Sequence, residues 1–143
     1  MRYLTRMLAV ALVSIVLVGS SCSSDRESDE ATSDTATESA ALVGPDAFAV
    51  RMDEDDVVTI NVHVPDEGSI SGTDLTVPFD EIEGSDELPS DRSTPLAIYC
   101  RSGNMSADAV RDLAAMGYTD VTELEGGFDA WVEAGRPLEP AGN

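Results

Sequence analysis

Apolar residues along this chain come in short clusters, and the spacing within each cluster predicts the element it forms. Met7 to Val18 is one apolar run broken only by Ser14. From Ser23 to about Val43 there is almost nothing to bury, because Ser, Thr, Ala, Asp and Glu predominate. That composition predicts a self-repelling, disordered tether over residues 22–44. The folded part is expected to span 45–140. Phe48-Ala49-Val50 reads as an edge strand and Asp53-Glu54-Asp55-Asp56 as a solvated acidic turn, since it lacks the Gly and the spaced ligands of a calcium loop. Val57 to Val64 then alternates. Val58, Ile60, Val62 and Val64 share one face and Thr59, Asn61 and His63 the other, which predicts an interior strand. Leu75-Thr76-Val77 reads as a short strand, Pro78 to Glu83 as a brief helix or turn, and Gly84 to Pro95 as a polar loop.

The run Leu96-Ala97-Ile98-Tyr99 is wholly apolar and bracketed by Pro95 and a Gly-containing polar loop, so it reads as a buried strand ending at Cys100. The period then changes to that of a helix. From Ser106 to Met116, Val110, Leu113 and Ala114 fall on one face, with Asp108, Arg111 and Asp112 largely outside it. Asn104 or Ser106 is expected to cap the start and Gly117 to end it. Val121 to Leu124 gives another strand. Glu125-Gly126-Gly127 turns into a second helix, Phe128 to Ala134, stopped at Gly135 with Pro137 beyond. Phe128 and Trp131, at i and i+3, are expected to pack together, with Trp131 as a core anchor. Strand, helix, strand, helix in this order predicts an α/β domain with a parallel sheet and helices on its faces.

In such a sheet the crevice at the carboxyl end of a strand, facing the start of the next helix, is where ligands bind. Cys100 is predicted to sit there. Loop N–H groups and the helix N-terminus favour an anion at that position and so favour a reactive thiolate. The sequence therefore points to a cysteine nucleophile in an anion-binding cradle, with Arg101, Ser102, Gly103, Asn104 and Met105 in the cradle. His63 is the only histidine, and it reads as a hydrogen-bonded strand or strand-end residue rather than a metal ligand. No metal site and no cofactor are expected.

Charge narrows the partners. Eight positive residues, all Arg, face 28 acidic ones for a net charge of −20. Nucleic acid needs a basic surface and is excluded. With no Lys, Schiff-base chemistry and the Lys-dependent phosphate loop are excluded as well.

The two cysteines have separate expectations. Arg2 and Arg6, the apolar run and Gly19-Ser20-Ser21 have the layout of a secretory signal over residues 1–21, too short for a comfortable membrane span. Cys22 directly after small residues resembles the lipobox of bacterial lipoproteins, although Gly19 stands where that motif usually has Leu. This predicts a lipid on Cys22 that anchors an exported protein to the outer face of the cell membrane, the only membrane contact expected. The alternative is an ordinary cleaved signal and a soluble secreted or periplasmic protein. With Cys22 lipidated, Cys100 has no partner for an internal disulfide, which makes it either a reactive group or an intermolecular link.

The residues from Leu96 to Pro137 resemble a single-domain rhodanese. The resemblance rests on Tyr99-Cys100-Arg101-Ser102-Gly103-Asn104, then Ser106-Ala107, Gly117-Tyr118, Leu124-Glu125-Gly126-Gly127-Phe128-Asp129-Ala130-Trp131 and Ala134-Gly135-Arg136-Pro137. Upstream the pattern is looser. Asn61-Val62-His63 lies where rhodaneses usually have Asp-Val-Arg, and Gly68-Ser69-Ile70-Ser71-Gly72-Thr73 is similar to their Gly-His-Ile-Pro-Gly-Ala stretch. The resemblance implies a doubly wound α/β domain in which Cys100 accepts a sulfane sulfur from a small donor, thiosulfate or a persulfide, and passes it to a thiol or cyanide-like acceptor. Arg101 is then placed either to steer an anionic donor or to stand as a solvent-facing loop charge. Met105 departs from the family, many members of which carry an Arg aimed into the pocket. Its loss is expected to weaken binding of oxyanion donors. Two alternatives follow: a cysteine phosphatase, which wants a loop one residue longer ending in Arg where this chain has Ser106, and a non-catalytic rhodanese-like module that binds a partner or senses sulfur.

Overall fold

The computed structural model describes residues 40–142. The expected signal segment 1–21, Cys22 and the tether as far as residue 39 lie outside the described residues. Chain order is β1 (Ala40–Val43), α1 (Pro45–Met52), β2 (Val58–Asn61), β3 (Leu75–Thr76), a 3-10 helix (Phe79–Gly84), β4 (Leu96–Tyr99), α2 (Asn104–Ala115), β5 (Val121–Leu124) and α3 (Gly127–Glu133). The five strands form one parallel sheet in the order β1-β5-β4-β2-β3.

Each face of the sheet has its own core, which is why β4 carries no polar residue. On one face Phe48 of α1 and Phe128 and Trp131 of α3 pack with Ala97, Tyr99 and Leu124. On the other, Ala109 and Leu113 of α2 and Ile82 of the 3-10 helix pack with Ile60, Leu96, Ile98 and Val121, and Cys100 belongs to this second cluster. Such two-sided cover is what an all-parallel sheet requires. Trp131 is a core anchor as expected, but its ring meets Phe48 edge-on at 6.5 Å, while Phe128 meets His63 at 5.4 Å. The two aromatics of α3 thus share a core cluster and take different ring partners.

Three expectations are corrected. Residues 40–43, assigned to the tether, form β1, paired in register from Ala40 on Val121 to Val43 on Leu124. Three apolar residues are too few to show a period, and the strand exists because β5 offers it an open edge. Phe48-Ala49-Val50 is not an edge strand but the middle of α1. Gly44 in extended conformation, Pro45 in the first turn and Asp46 beside it are helix-start signals, and Phe48 is fully buried against the sheet. Helix α2 begins at Asn104 rather than Ser106, and its N-cap is Gly103, with no side-chain cap. At its far end the N–H of Gly117 donates to the Ala114 carbonyl and that of Tyr118 to Leu113, both at 3.0 Å, around a Gly117 φ of 92°. This is the double closure for which Gly is preferred.

Candidate functional site

Cys100 is the first residue beyond β4 and is 1% exposed. The backbone N–H of Gly103 donates to its Sγ at 3.1 Å, and Ser106 Oγ lies 3.4 Å from the same sulfur. Closing so tight a loop puts Gly103 at φ 97°, a conformation that a side chain strains. Because α2 starts immediately afterwards, the N–H groups of Asn104, Met105 and Ser106 belong to its first turn and have no acceptor within the helix. Among the described residues the backbone donor to the sulfur is the N–H of Gly103, which directly precedes this first turn.

The opposite wall is α3. Phe128 N–H donates to the Cys100 carbonyl at 2.9 Å and Asp129 N–H to that of Arg101 at 3.0 Å. The first turn of α3 therefore holds the loop by its carbonyls. Gly127 makes this approach feasible: a Cβ there would lie 2.3 Å from the Cys100 oxygen and 2.4 Å from that of Arg101.

Of the other expected site residues, Ser102 and Asn104 are exposed, and Met105 is half-buried against the cluster that contains Cys100. Arg101 points along the solvent side. Its guanidinium donates to both oxygens of Glu67, at 3.0 and 3.2 Å, and its Nε to Asp129 at 3.4 Å. Glu67 also meets His63 Nε2 at 2.6 Å. The His63 hydrogen bond, then Arg101, hold the Glu67 carboxyl below the usual carboxylate range, and Glu67 in turn holds the Arg101 guanidinium firmly charged. His63 is buried past the end of β2, as a strand-end histidine should be, with Nδ1 facing no partner. Asn61, in the place of the usual Asp, accepts from the His63 N–H and donates to the Gly68 carbonyl.

On the core side stands a group that sequence reasoning missed. Glu123, in the middle of β5, is 8% exposed, and its Oε1 accepts from Ser106 Oγ at 2.6 Å. Ser106 is itself fully buried and also lies 3.0 Å from the Gly103 carbonyl. Burial pushes the Glu123 carboxyl up, and the Ser106 hydrogen bond offsets this only in part. One signal could have revealed it: a strand between two others in a sheet covered on both faces has no solvent side, so a Glu within it must be buried.

Among the described residues each Arg has a partner. Arg51 binds Glu54 and Asp120, Arg101 binds Glu67 and Asp129, Arg111 binds Asp108, and Arg136 binds Asp46. Arg92 lies over the Tyr118 ring at 4.4 Å.

Comparison with known proteins adds a family. The Rhodanese-like domain profile matches residues 45–134. An Allochromatium vinosum protein named as a sulfurtransferase is 37% identical over 90 residues, which cover 60% of this chain and 81% of that protein. An uncharacterized Synechocystis protein is 28% identical over 105 residues, or 72% of this chain, and the match spans only 58% of that relative's length. Among solved structures, a rhodanese-like domain protein of Staphylococcus aureus aligns with a TM-score of 0.57 at 25% identity, over 71% of this chain and 99% of that one. A Rhodopseudomonas palustris protein of unknown function, described as a possible tyrosine phosphatase, aligns with a TM-score of 0.59 at 28% identity, over 71% and 86%.

Proposed function

The chain belongs to the rhodanese-like domain family, and from that premise we propose that it is an extracytoplasmic sulfurtransferase working through a persulfide on Cys100. The observation that carries this reading is the Gly103 N–H donating to Cys100 Sγ at 3.1 Å at the mouth of α2. An N–H donor on the sulfur stabilises a thiolate held off solvent. In the first half-reaction the Cys100 thiolate attacks the outer sulfur of a donor. The donor's S–S bond breaks, and its inner sulfur leaves with the electron pair, as sulfite from thiosulfate or as a thiolate from a persulfide. In the second, an acceptor thiolate or cyanide takes the terminal sulfur and Cys100 departs as thiolate. The chemistry asks nothing of a metal or cofactor. Export and anchoring through a lipid on Cys22 complete the proposal.

Donor choice follows from charge. Arg101 is engaged by two carboxylates, and the uncharged Met105 stands in the first turn of α2, where a guanidinium would recognise an oxyanion. A low-molecular-weight or protein persulfide is therefore the favoured donor over thiosulfate. The phosphatase alternative draws support from the R. palustris likeness, but here Ser106 stands where the phosphate-gripping Arg is needed, and behind it lies the Glu123 carboxyl.

Intact mass tests the reading. The reduced protein and its Cys100→Ser variant are incubated separately with thiosulfate and with a small persulfide. We expect one added sulfur on the wild type with the persulfide, removed by cyanide or a thiol, and none on the variant. No added sulfur from either donor on folded, reduced protein leaves the non-catalytic module, and release of phosphate from a phosphotyrosine peptide instead would establish the phosphatase.

A further inference from the structure

Cys100, Ser106 and Glu123 form a line of three groups on the core side of the loop, with the serine hydroxyl 3.4 Å from the sulfur and 2.6 Å from the carboxylate oxygen. All three are buried, at 1%, 0% and 8% exposure. Ser106 Oγ has one proton and three neighbours that could accept it, Glu123 Oε1 at 2.6 Å, the Gly103 carbonyl at 3.0 Å and the Cys100 sulfur at 3.4 Å. With Glu123 ionised, the shorter bond takes that proton, and the sulfur, if it bonds the serine at all, does so as an S–H donor. With Glu123 protonated, the acid O–H donates to Ser106 Oγ, and the serine's own proton is shared between the Gly103 carbonyl and the sulfur, of which a sulfur anion, being charged, is the stronger acceptor.

We propose that Glu123 is the internal acceptor of the Cys100 proton, reached through Ser106, so that the thiolate forms without a proton leaving for solvent. In this step the Cys100 S–H proton passes to Ser106 Oγ as the Ser106 O–H proton passes to Glu123 Oε1. The sulfur keeps the bonding pair and becomes thiolate, the carboxylate becomes acid, and the serine is unchanged. The site carries one negative charge before and after. That matters in a buried place, where a second uncompensated charge is costly. Ser106 touches the reacting sulfur, whereas Glu123 acts through it and is a positioning residue.

Among the described residues Ser106 is the one hydrogen-bond partner of the Glu123 side chain. In register beside it lie Leu42 of β1 and Ile98 of β4. Among the charged groups of the elements packed on β5, Arg51 of α1 is bound to Glu54 and Asp120, and Asp108 and Arg111 of α2 are bound to one another. The charge next to Cys100, Arg101, is held by Glu67 and Asp129 on the solvent side. Among the described residues no cation forms an ion pair with Glu123. Burial without a counter-ion favours the acid form, which suits a group that must accept a proton.

The inference rests on Cys100 being the reacting thiol but not on sulfur transfer, and its test reads protonation directly. The rate of iodoacetamide alkylation of Cys100 is measured against pH in the wild type and in Glu123→Gln. Two strongly interacting groups that share one proton titrate in two macroscopic steps, so the wild type should show a plateau between two rises. Glu123→Gln should show a single rise, complete about one pH unit or more below the upper wild-type step. Superimposable profiles overturn the proposal. If the variant does not fold, infrared spectroscopy on the unsubstituted protein decides. On the plateau a protonated-carboxyl band should match the thiolate fraction seen by ultraviolet absorption and vanish when Cys100 is S-methylated. A band that is absent, or that ignores methylation, also overturns the proposal. A protein that takes up no sulfur yet shows the shared titration would fail the sulfurtransferase reading alone.

Discussion

Two carboxyls stand on either side of the loop that follows β4. On the solvent side Glu67 is met by His63 and Arg101 and is pulled below the usual carboxylate range. On the core side Glu123 has one neutral partner, Ser106, and is pushed above it. The side chains are identical, so the difference comes from what faces them: a cation and water fix a charge, whereas a hydroxyl and an apolar wall make it movable. The first arrangement suits a clamp that holds Arg101. The second suits a group that exchanges a proton with its neighbour.

The comparison can be broken most severely at the support both sides share. Gly127→Ala drives a Cβ into the Cys100 and Arg101 carbonyls at a φ of 60°, and should cost about 3 kcal/mol or more by chemical denaturation. Gly117→Ala, at a φ of 92° but with no atom within 4 Å of the new Cβ, should cost only about 1 kcal/mol. Removing β1 comes next. A chain begun at Gly44 loses four residues of pairing on β5 and the bond from Glu125 N–H to the Val43 carbonyl, for roughly 2 kcal/mol. It also removes Leu42 from beside Glu123, which should lower the pH range of the carboxyl's ionisation, read from the infrared band.

Smaller effects sharpen the contrast through pH. Glu123 is raised in the native state, so its contribution to stability is fully present below the ordinary 4.5 and is lost as pH rises through the native value. Glu123→Gln should therefore gain stability relative to wild type as pH rises through that window, in denaturation midpoints measured across it. Glu67 is lowered, so its contribution is present above 4.5 and lost as pH falls through the native value. Glu67→Gln should show the opposite slope, and the effect should be the smallest of the series and fade with salt, because the carboxyl is in contact with water.

Much of this was legible from local pattern. Pro95 and the polar loop that starts at Arg101 bracket an apolar run, which is enough to end a buried strand at Cys100, and Gly117 and Gly135 stop the two later helices where expected. What was missed depended on longer range. Ala41-Leu42-Val43 and Phe48-Ala49-Val50 are short apolar triplets of similar appearance. One became strand because β5 had a free edge, and the other helix because Gly44 and Pro45 stand before it. Glu123 was missed because its partner lies 17 residues away, and its burial is set by sheet order rather than by neighbours in sequence.

The direction of β1 has a consequence for orientation. Since all the paired strands run the same way, Ala40 opens β1 at the pole of the sheet opposite the one where β4 delivers Cys100. Four residues of strand separate the two poles by about 13 Å. The chain thus enters the domain from the back and presents its sulfur at the front. A molecule that reaches Cys100 therefore approaches from the pole turned away from Ala40, and the start of β1 takes up none of that surface.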